Sequence, residues 1–264
     1  MHHPLNHILS IFTKHEQVMD KFANILFAGL CNAFCPDCIG KQVKSELSPN
    51  NLDIFPLKNL DAFVDILKKE LITELSFTGT TTDPLLYKHQ EKLLIYLREK
   101  IPGAKISLHT NGRLIQKMQD IYNMYDRAAI SLPSFDDDIY QKIMGTKHIP
   151  DLHTILALSK IPIKISVLIN EHNSHDIQKF LDKAAKVGVQ RIVFRKLFGE
   201  TRPFEEILDM DITGLTLEKK FMNNPVYSYK QMEVTFWDFD ATENMVYNLF
   251  ANGNIYKGYL LTKA

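Results

Sequence analysis

Apolar side chains recur along this chain in two rhythms, one of two residues and one of three to four, and the two rhythms alternate. Ile25-Leu26-Phe27-Ala28 is a short apolar run that predicts a buried strand. Leu57, Leu60, Phe63, Ile66, Leu67 and Leu71 then fall on one face of a helix. Glu74 to Thr78 predicts a second strand, Leu93, Leu94, Leu97 and Ile101 a second helix, and Lys105 to Thr110 a third strand. Leu114 to Met124 predicts a further helix. Arg127 to Leu132, Ile163 to Ile169 and Gln190 to Phe194 bring the strands to six, the last preceded by the helical stripe Ile177, Phe180, Leu181, Ala184 and Ala185, closed by Gly188. Strands that alternate with helices argue for βα units around a parallel sheet. The expected fold is α/β: a partial (β/α)6 TIM-like barrel with a C-terminal strand-rich tail.

Both ends depart from this rhythm. Residues 7–22 place Ile8, Ile11, Phe12, Met19 and Phe22 on roughly one helical face. From Pro225 onward, Val226 to Trp237, Met245 to Phe250 and Ile255 to Leu261 look like strands, and Ala251-Asn252-Gly253-Asn254 carries a hairpin signal. The organisation expected is an N-terminal helix over 1–22, a barrel over 23–200, and an antiparallel extension over 201–264 that caps the barrel mouth or covers its open edge.

Composition narrows the class. With 264 residues, 45% apolar and 23% charged, the chain can bury a sizeable core. Thirty-one basic residues balance 31 acidic ones, which argues against a broad nucleic-acid footprint. No apolar run is long enough to span a membrane, and no signal-peptide core stands at the N-terminus, so the expected location is cytoplasmic.

The chemistry concentrates in one segment. All three cysteines lie in Cys31-Asn-Ala-Phe-Cys35-Pro-Asp-Cys38, directly after the first strand. An odd, clustered set with no distant partner reads as metal binding or catalysis rather than a disulfide scaffold. Three thiolates in one loop can converge on a [4Fe–4S] cluster and leave one iron without a protein ligand. A zinc site or three buried thiols are the alternatives; zinc needs a fourth ligand, and no histidine stands on this loop.

The spacing Cys-x-x-x-Cys-x-x-Cys after a first barrel strand resembles the radical S-adenosylmethionine (SAM) superfamily. Further segments carry the resemblance over about residues 22 to 198. Phe77-Thr78-Gly79-Thr80-Thr81-Thr82-Asp83-Pro84 stands where the family has a Gly-Gly-Glu-Pro-like stretch, Thr110-Asn111-Gly112 where it often has Thr-Asn-Gly, and Ser131-Leu132-Pro133-Ser134, followed by an acidic stretch and Met144-Gly145, resembles its Ser-Leu-Asp-Gly region with a later glycine. Two positions depart from the pattern: Asp37 replaces the usual aromatic residue before the last cysteine, and only Gly79 survives of the paired glycines.

The resemblance implies a [4Fe–4S] cluster on Cys31, Cys35 and Cys38, with SAM chelated at the open iron and cleaved reductively to a 5′-deoxyadenosyl radical. It also implies a reductant such as flavodoxin or ferredoxin, and a substrate that is a small molecule, a nucleotide or a peptide. Gly79, Thr80, Asn111 and Ser131 are the candidate SAM contacts, with Asn170 and Arg195 behind them at the ends of strands five and six. A turn role for Gly79 and Asn111, a capping role for Ser131 and Ser134, and a structural role for His109 remain alternatives. Asp136-Asp137-Asp138 reads as a helix N-terminus. A non-catalytic cluster or zinc protein, and a degenerate partner subunit, are the rival functions. The absence of cysteine after Cys38 leaves this chain no thiols for an auxiliary cluster.

Overall fold

The computed structural model of the chain describes residues 20–208, 212–242 and 244–258. Six strands run in chain order: β1 (Asp20–Phe27), β2 (Glu74–Gly79), β3 (Lys105–Thr110), β4 (Arg127–Ser131), β5 (Ile163–Leu168) and β6 (Arg191–Arg195). Each pairs in parallel with the next. The helices between them are α1 (Leu60–Lys69), α2 (Gln90–Lys100), α3 (Gln119–Tyr122), α4 (Asp137–Met144), α5 (Leu152–Leu158) and α6 (Ile177–Val187). A short α7 (Phe204–Ile207) follows β6. The expected partial barrel of six βα units is therefore present.

Strand parity decides what goes where. Successive side chains of a strand point to opposite faces. Ala23, Ile25 and Phe27 of β1, Leu75 and Phe77 of β2, Ile106 and Leu108 of β3, and Ile165 and Val167 of β5 are fully buried. They form one core with the helix stripes Leu60, Phe63, Val64 and Leu67, and Leu93, Leu94 and Leu97. The opposite parity carries the polar strand residues Asn24, Ser107, His109, Ser131, Lys164, Ser166 and Arg195, among apolar Leu26, Ala129 and Val193. The lumen of this barrel is thus largely lined by hydrogen-bonding and charged groups with a few apolar ones between, unlike the branched apolar layers of a closed TIM barrel.

The C-terminal residues form β7 (Thr216–Phe221), β8 (Asn224–Tyr229), β9 (Met232–Trp237), β10 (Asn244–Leu249) and β11 (Ile255–Lys257). The hairpin expected at Asn252-Gly253 joins β10 to β11. The extension is not simply antiparallel, however. β9 pairs in parallel with β6, and β10 in parallel with β1. The sheet order is β11-β10-β1-β2-β3-β4-β5-β6-β9-β8-β7, so the tail supplies one more parallel strand on each edge of the barrel. Local turn signals cannot reveal such pairing, because the partner strands lie far away in sequence.

Eight parallel strands laid flat would put the outermost two about 34 Å apart at ~4.8 Å per strand. Yet only six residues separate Trp237 of β9 from Asn244 of β10, a reach of at most about 25 Å. The sheet must be bent round on itself, although no ladder joins β9 to β10 among the described residues and the barrel stays open.

Two sequence expectations need correction. β1 starts at Asp20, inside the segment read as helix 7–22, because Phe22, Asn24 and Leu26 alternate with Ala23, Ile25 and Phe27 and pair on both edges. The remainder of that helix, and the end of the expected last strand after Gly258, lie outside the described residues. Leu114 to Met124 is a series of turns with only a four-residue helix, α3.

Candidate functional site

β1 delivers the cysteine loop to the carboxyl end of the parallel strands, the face on which barrel active sites are built. Three neighbouring segments fix the loop. The segment after β2 holds its start: Thr80 N donates to Phe27 O at 2.8 Å, and Thr82 Oγ1 to Leu30 O at 2.8 Å. Its middle is held by the turn after β3, where Asn111 Nδ2 donates to Asn32 Oδ1 at 2.6 Å and Arg113 donates to Asn32 O. The carboxyl end of α4 holds Phe34, whose N donates to Met144 O at 3.1 Å.

Two glycines permit these contacts. A Cβ on Gly40 would stand 1.7 Å from Thr80 O, and one on Gly145 would stand 2.2 Å from Phe34 O. Gly145 also has φ +65°, the left-handed conformation that ends α4. The cysteine loop is therefore pressed backbone against backbone on both sides.

The three thiols are partly buried and close enough to influence one another. Burial raises the Cys31 pKa, and burial together with Cys38 and Cys31 pushes Cys35 up to about 11. Cys35 Sγ lies 3.7 Å from Met144 O, and Cys38 Sγ lies 3.7 Å from Thr80 O. Among the described residues no three His, Cys, Asp or Glu side chains meet at the radius of a single ion. Zinc would require its sulfur ligands about 2.3 Å from one centre. Three thiols on one loop are a donor set for three irons of a four-iron cluster.

Thr80 is buried, with Oγ1 accepting from Ser48 Oγ and donating to Phe27 O, so its carbonyl is what faces Cys38. Gly79 ends β2 beside Phe27 of β1. Asn170, after β5, donates to the Asp37 carboxylate at 3.3 Å, which ties the departing residue of the cysteine motif to the barrel rim. Ser131 and Arg195 line a small cavity of ≈ 40 Å³ with His109, Ala129, Lys164, Ser166 and Val193. The candidate SAM contacts thus fall into two groups, one around the cysteine loop and one in the lumen.

Several neighbours of this site were not singled out in the sequence. Asp83 is buried and accepts from Leu85 N at 2.9 Å, Thr110 Oγ1 at 2.8 Å and Asn111 N at 2.6 Å. Burial raises its pKa in spite of those three donors. It acts as the tie between the ends of β2 and β3; the signal that could have found it is the Asp-Pro step that opens a helical turn. His109, for which a structural role is the expectation, lines the lumen cavity, and burial with the nearby Lys164 charge holds its pKa well below the usual histidine value. The acidic run does cap a helix: Asp136 accepts from Asp138 N and Ile139 N at the start of α4. Ser134 Oγ in turn accepts from Asp136 N at 2.9 Å, a turn role.

An open parallel barrel with a three-cysteine loop at its carboxyl face is a candidate iron–sulfur site. The Radical SAM superfamily model matches residues 25–209, and the chain belongs to that superfamily. Its cofactors are those of the family, a [4Fe–4S] cluster and SAM. A curated relative from Saccharolobus solfataricus, described as a probable GTP 3′,8-cyclase, is 23% identical over 133 residues, 48% of this chain and 42% of the relative. The chain thus matches less than half of that protein's length. Streptococcus suis SuiB bound to precursor peptide SuiA is similar in structure, with a TM-score of 0.51, 16% identity, and coverage of 68% of this chain and 40% of SuiB. So is native anSMEcpe with bound AdoMet, with a TM-score of 0.52, 16% identity, and coverage of 67% and 52%. At that identity the likeness speaks for the fold. No helix among the described residues is long and apolar enough to cross a membrane.

Proposed function

We propose that this chain is a radical SAM enzyme whose cluster is held by Cys31, Cys35 and Cys38. The observation that carries the reading is the cysteine loop itself, pinned between the segment after β2 and the carboxyl end of α4 at the mouth of a polar-lined parallel barrel. When bound, the cluster supplies one electron that breaks the S–C5′ bond of SAM, giving methionine and the 5′-deoxyadenosyl radical that takes a hydrogen atom from substrate. The protein's part is to bind and orient. The Thr80 carbonyl, next to Gly79 at the end of β2, faces Cys38, Asn111 sets the loop's position through Asn32, Asn170 offers a polar contact at the rim, and Ser131 and Arg195 offer theirs in the lumen.

On this reading residues 23–200 are the catalytic barrel and 201–264 an extension that covers both sheet edges, as the pairings of β9 and β10 support. A reductant such as flavodoxin or ferredoxin would approach beside Leu30 and Phe34, both largely exposed next to the cysteines. Clustered thiols without a disulfide call for a reducing compartment, and the cytoplasm is the proposed location. Substrate classes drawn from the relatives are a nucleotide and a peptide.

Anaerobic reconstitution tests the reading. Four irons and four sulfides per chain are expected, about the [4Fe–4S] stoichiometry, with 5′-deoxyadenosine formed when dithionite and SAM are added. Cys35→Ala should lose both. A wild-type chain that takes up only zinc, or a full cluster retained in Cys35→Ala, would refute the assignment.

A further inference from the structure

One buried hydroxyl on the helix behind the cysteine loop has no partner. Tyr140 of α4 is fully buried, and its Oη makes no hydrogen bond among the described residues. Other buried tyrosines of this chain keep to the ordinary rule that a buried phenol finds a partner. Tyr87 Oη donates to Ile54 O at 2.9 Å, Tyr122 Oη meets Ser159 Oγ at 3.1 Å, and Tyr125 Oη donates to Gln90 Oε1 at 2.7 Å. Tyr140 is the exception among these four, and phenylalanine would fill its place without a stranded oxygen.

Its surroundings narrow the choice of partner. Met144 follows Tyr140 by one helical turn on the same side of α4. Met144 O accepts from Phe34 N at 3.1 Å, and Cys35 Sγ lies 3.7 Å from Met144 O and 3.9 Å from Met144 Sδ. Tyr140 and Met144 belong to one buried cluster, and Cys35 packs against it. Burial raises the Tyr140 pKa, so the hydroxyl keeps its proton and is a donor. The charged groups that act on it are Arg113, which lowers that pKa, and Cys35, which raises it. Of these two only the sulfur can accept a hydrogen bond. A guanidinium carries donors alone, and Arg113 directs Nη1 at Asn32 O and Thr146 Oγ1. A thiol accepts weakly, whereas an ionised acceptor makes a strong bond. Cys35 therefore becomes a good partner for Tyr140 when iron takes the place of its proton.

We propose that Tyr140 is a positioning residue of the cluster, whose hydroxyl donates a hydrogen bond to Cys35 Sγ once that sulfur is an iron-bound thiolate. The inference rests on the radical SAM reading only for the assignment of Cys35 as a cluster ligand. A donor directed at a ligand sulfur stabilises the reduced, more negative cluster more than the oxidised one, and so raises the reduction potential. Tyr140 thereby helps set how readily a reductant loads the cluster. The same hydroxyl has opposite effects in two states: it is a burden on the metal-free fold, where it is unpaired, and a support for the cluster-loaded one.

The test is Tyr140→Phe in the full chain, which removes the hydroxyl oxygen and keeps the ring. Denaturant unfolding of the metal-free proteins should find the variant at least as stable as wild type, because no hydrogen bond is lost. After anaerobic reconstitution without SAM, the cluster midpoint potential, read by EPR in a redox titration, should be more negative in the variant. Proton ENDOR of the reduced cluster, compared in H2O and D2O, should lose one exchangeable coupling. Equal potentials with equal exchangeable couplings would overturn the proposal. So would a metal-free variant clearly less stable than wild type, because the hydroxyl would then have its partner within the chain. The enzymatic reading is judged separately, by the 5′-deoxyadenosine that wild type forms. A cluster whose potential falls in Tyr140→Phe but which never cleaves SAM would refute that reading and leave the hydrogen bond standing. A wild-type chain that assembles no cluster removes the acceptor and overturns both.

Discussion

The side-chain amide of Asn111 donates to Asn32 Oδ1 at 2.6 Å, joining the turn after β3 to the residue that follows the first cysteine. Asn111 is itself fixed, because its N–H donates to buried Asp83. The position of Cys31 is thereby referred through two hydrogen bonds to the ends of β2 and β3. Asn111→Ala should leave the barrel folded, with a cost of about 1 kcal/mol for the lost bond. It should lower the iron retained per chain after desalting, because Asn32 is then free to move. Equal iron retention in wild type and variant would show that the remaining contacts, Arg113 to Asn32 O among them, position the loop without the Asn111 amide.

Gly145 answers to two constraints at once. A side chain there must adopt φ near +65° and must push against Phe34 O, 2.2 Å from the Cβ position. The conformation alone costs an L-residue about 1–2 kcal/mol, and backbone displacement adds to it. Gly145→Ala should therefore destabilise the chain by about 2 kcal/mol or more and move the cysteine loop. The measurement is denaturant unfolding of the metal-free chain, followed by iron and sulfide counting. A variant with wild-type stability and a full cluster would show that α4 and the loop can separate freely.

Lys164 should leave a mark on the pH dependence of stability. Its folded pKa is lowered from 10.5 to about 8, so between those values the unfolded chain holds a proton that the folded chain has released. Stability from this group rises with pH across that window, by on the order of 3 kcal/mol in all. Below about pH 8 both states are charged and the burial penalty is fully present. Lys164→Met removes the charged group, so its advantage over wild type should be largest near pH 7 and shrink toward pH 10. Taking the difference between the two proteins cancels the tyrosines and cysteines that titrate in the same range. A constant difference from pH 7 to 10 would mean that Lys164 is solvated.

The two outer parallel strands differ in what they protect. β10 covers the backbone edge of β1, and its hairpin with β11 is tied down by Asn59 Nδ2 to Gly253 O and by Asn252 Nδ2 to Glu46 O, each 2.8 Å. Truncation after Glu243 should expose the β1 edge next to the cysteine loop and cause self-association, visible as a shift in size-exclusion elution. The hairpin of β8 and β9 is held separately on α6, where Tyr229 Oη donates to Asp182 at 2.9 Å. A monomeric truncated chain with an intact cluster would show that β10 is dispensable.

Much of this protein is written locally. Six strands and the helix stripes of α1, α2 and α6 follow from side-chain periodicity, because each must bury one face, and the three clustered cysteines announce a metal loop whatever surrounds them. The polar lumen was also within reach of the sequence, since Ser107 and His109, or Lys164 and Ser166, alternate with buried apolar neighbours. The tertiary structure decided the rest. That β10 joins β1, a partner more than two hundred residues away, rests on open hydrogen-bonding edges rather than on any local pattern. That Asp83 ties β2 to β3, and that Lys164 shares a cavity with Ser131, Ser166 and Arg195, depends on sheet register and curvature. A one-residue slip would turn Ser131, Lys164, Ser166 and Arg195 to the opposite face. Periodicity fixes which face of a strand is polar; only the register between strands decides which polar groups meet.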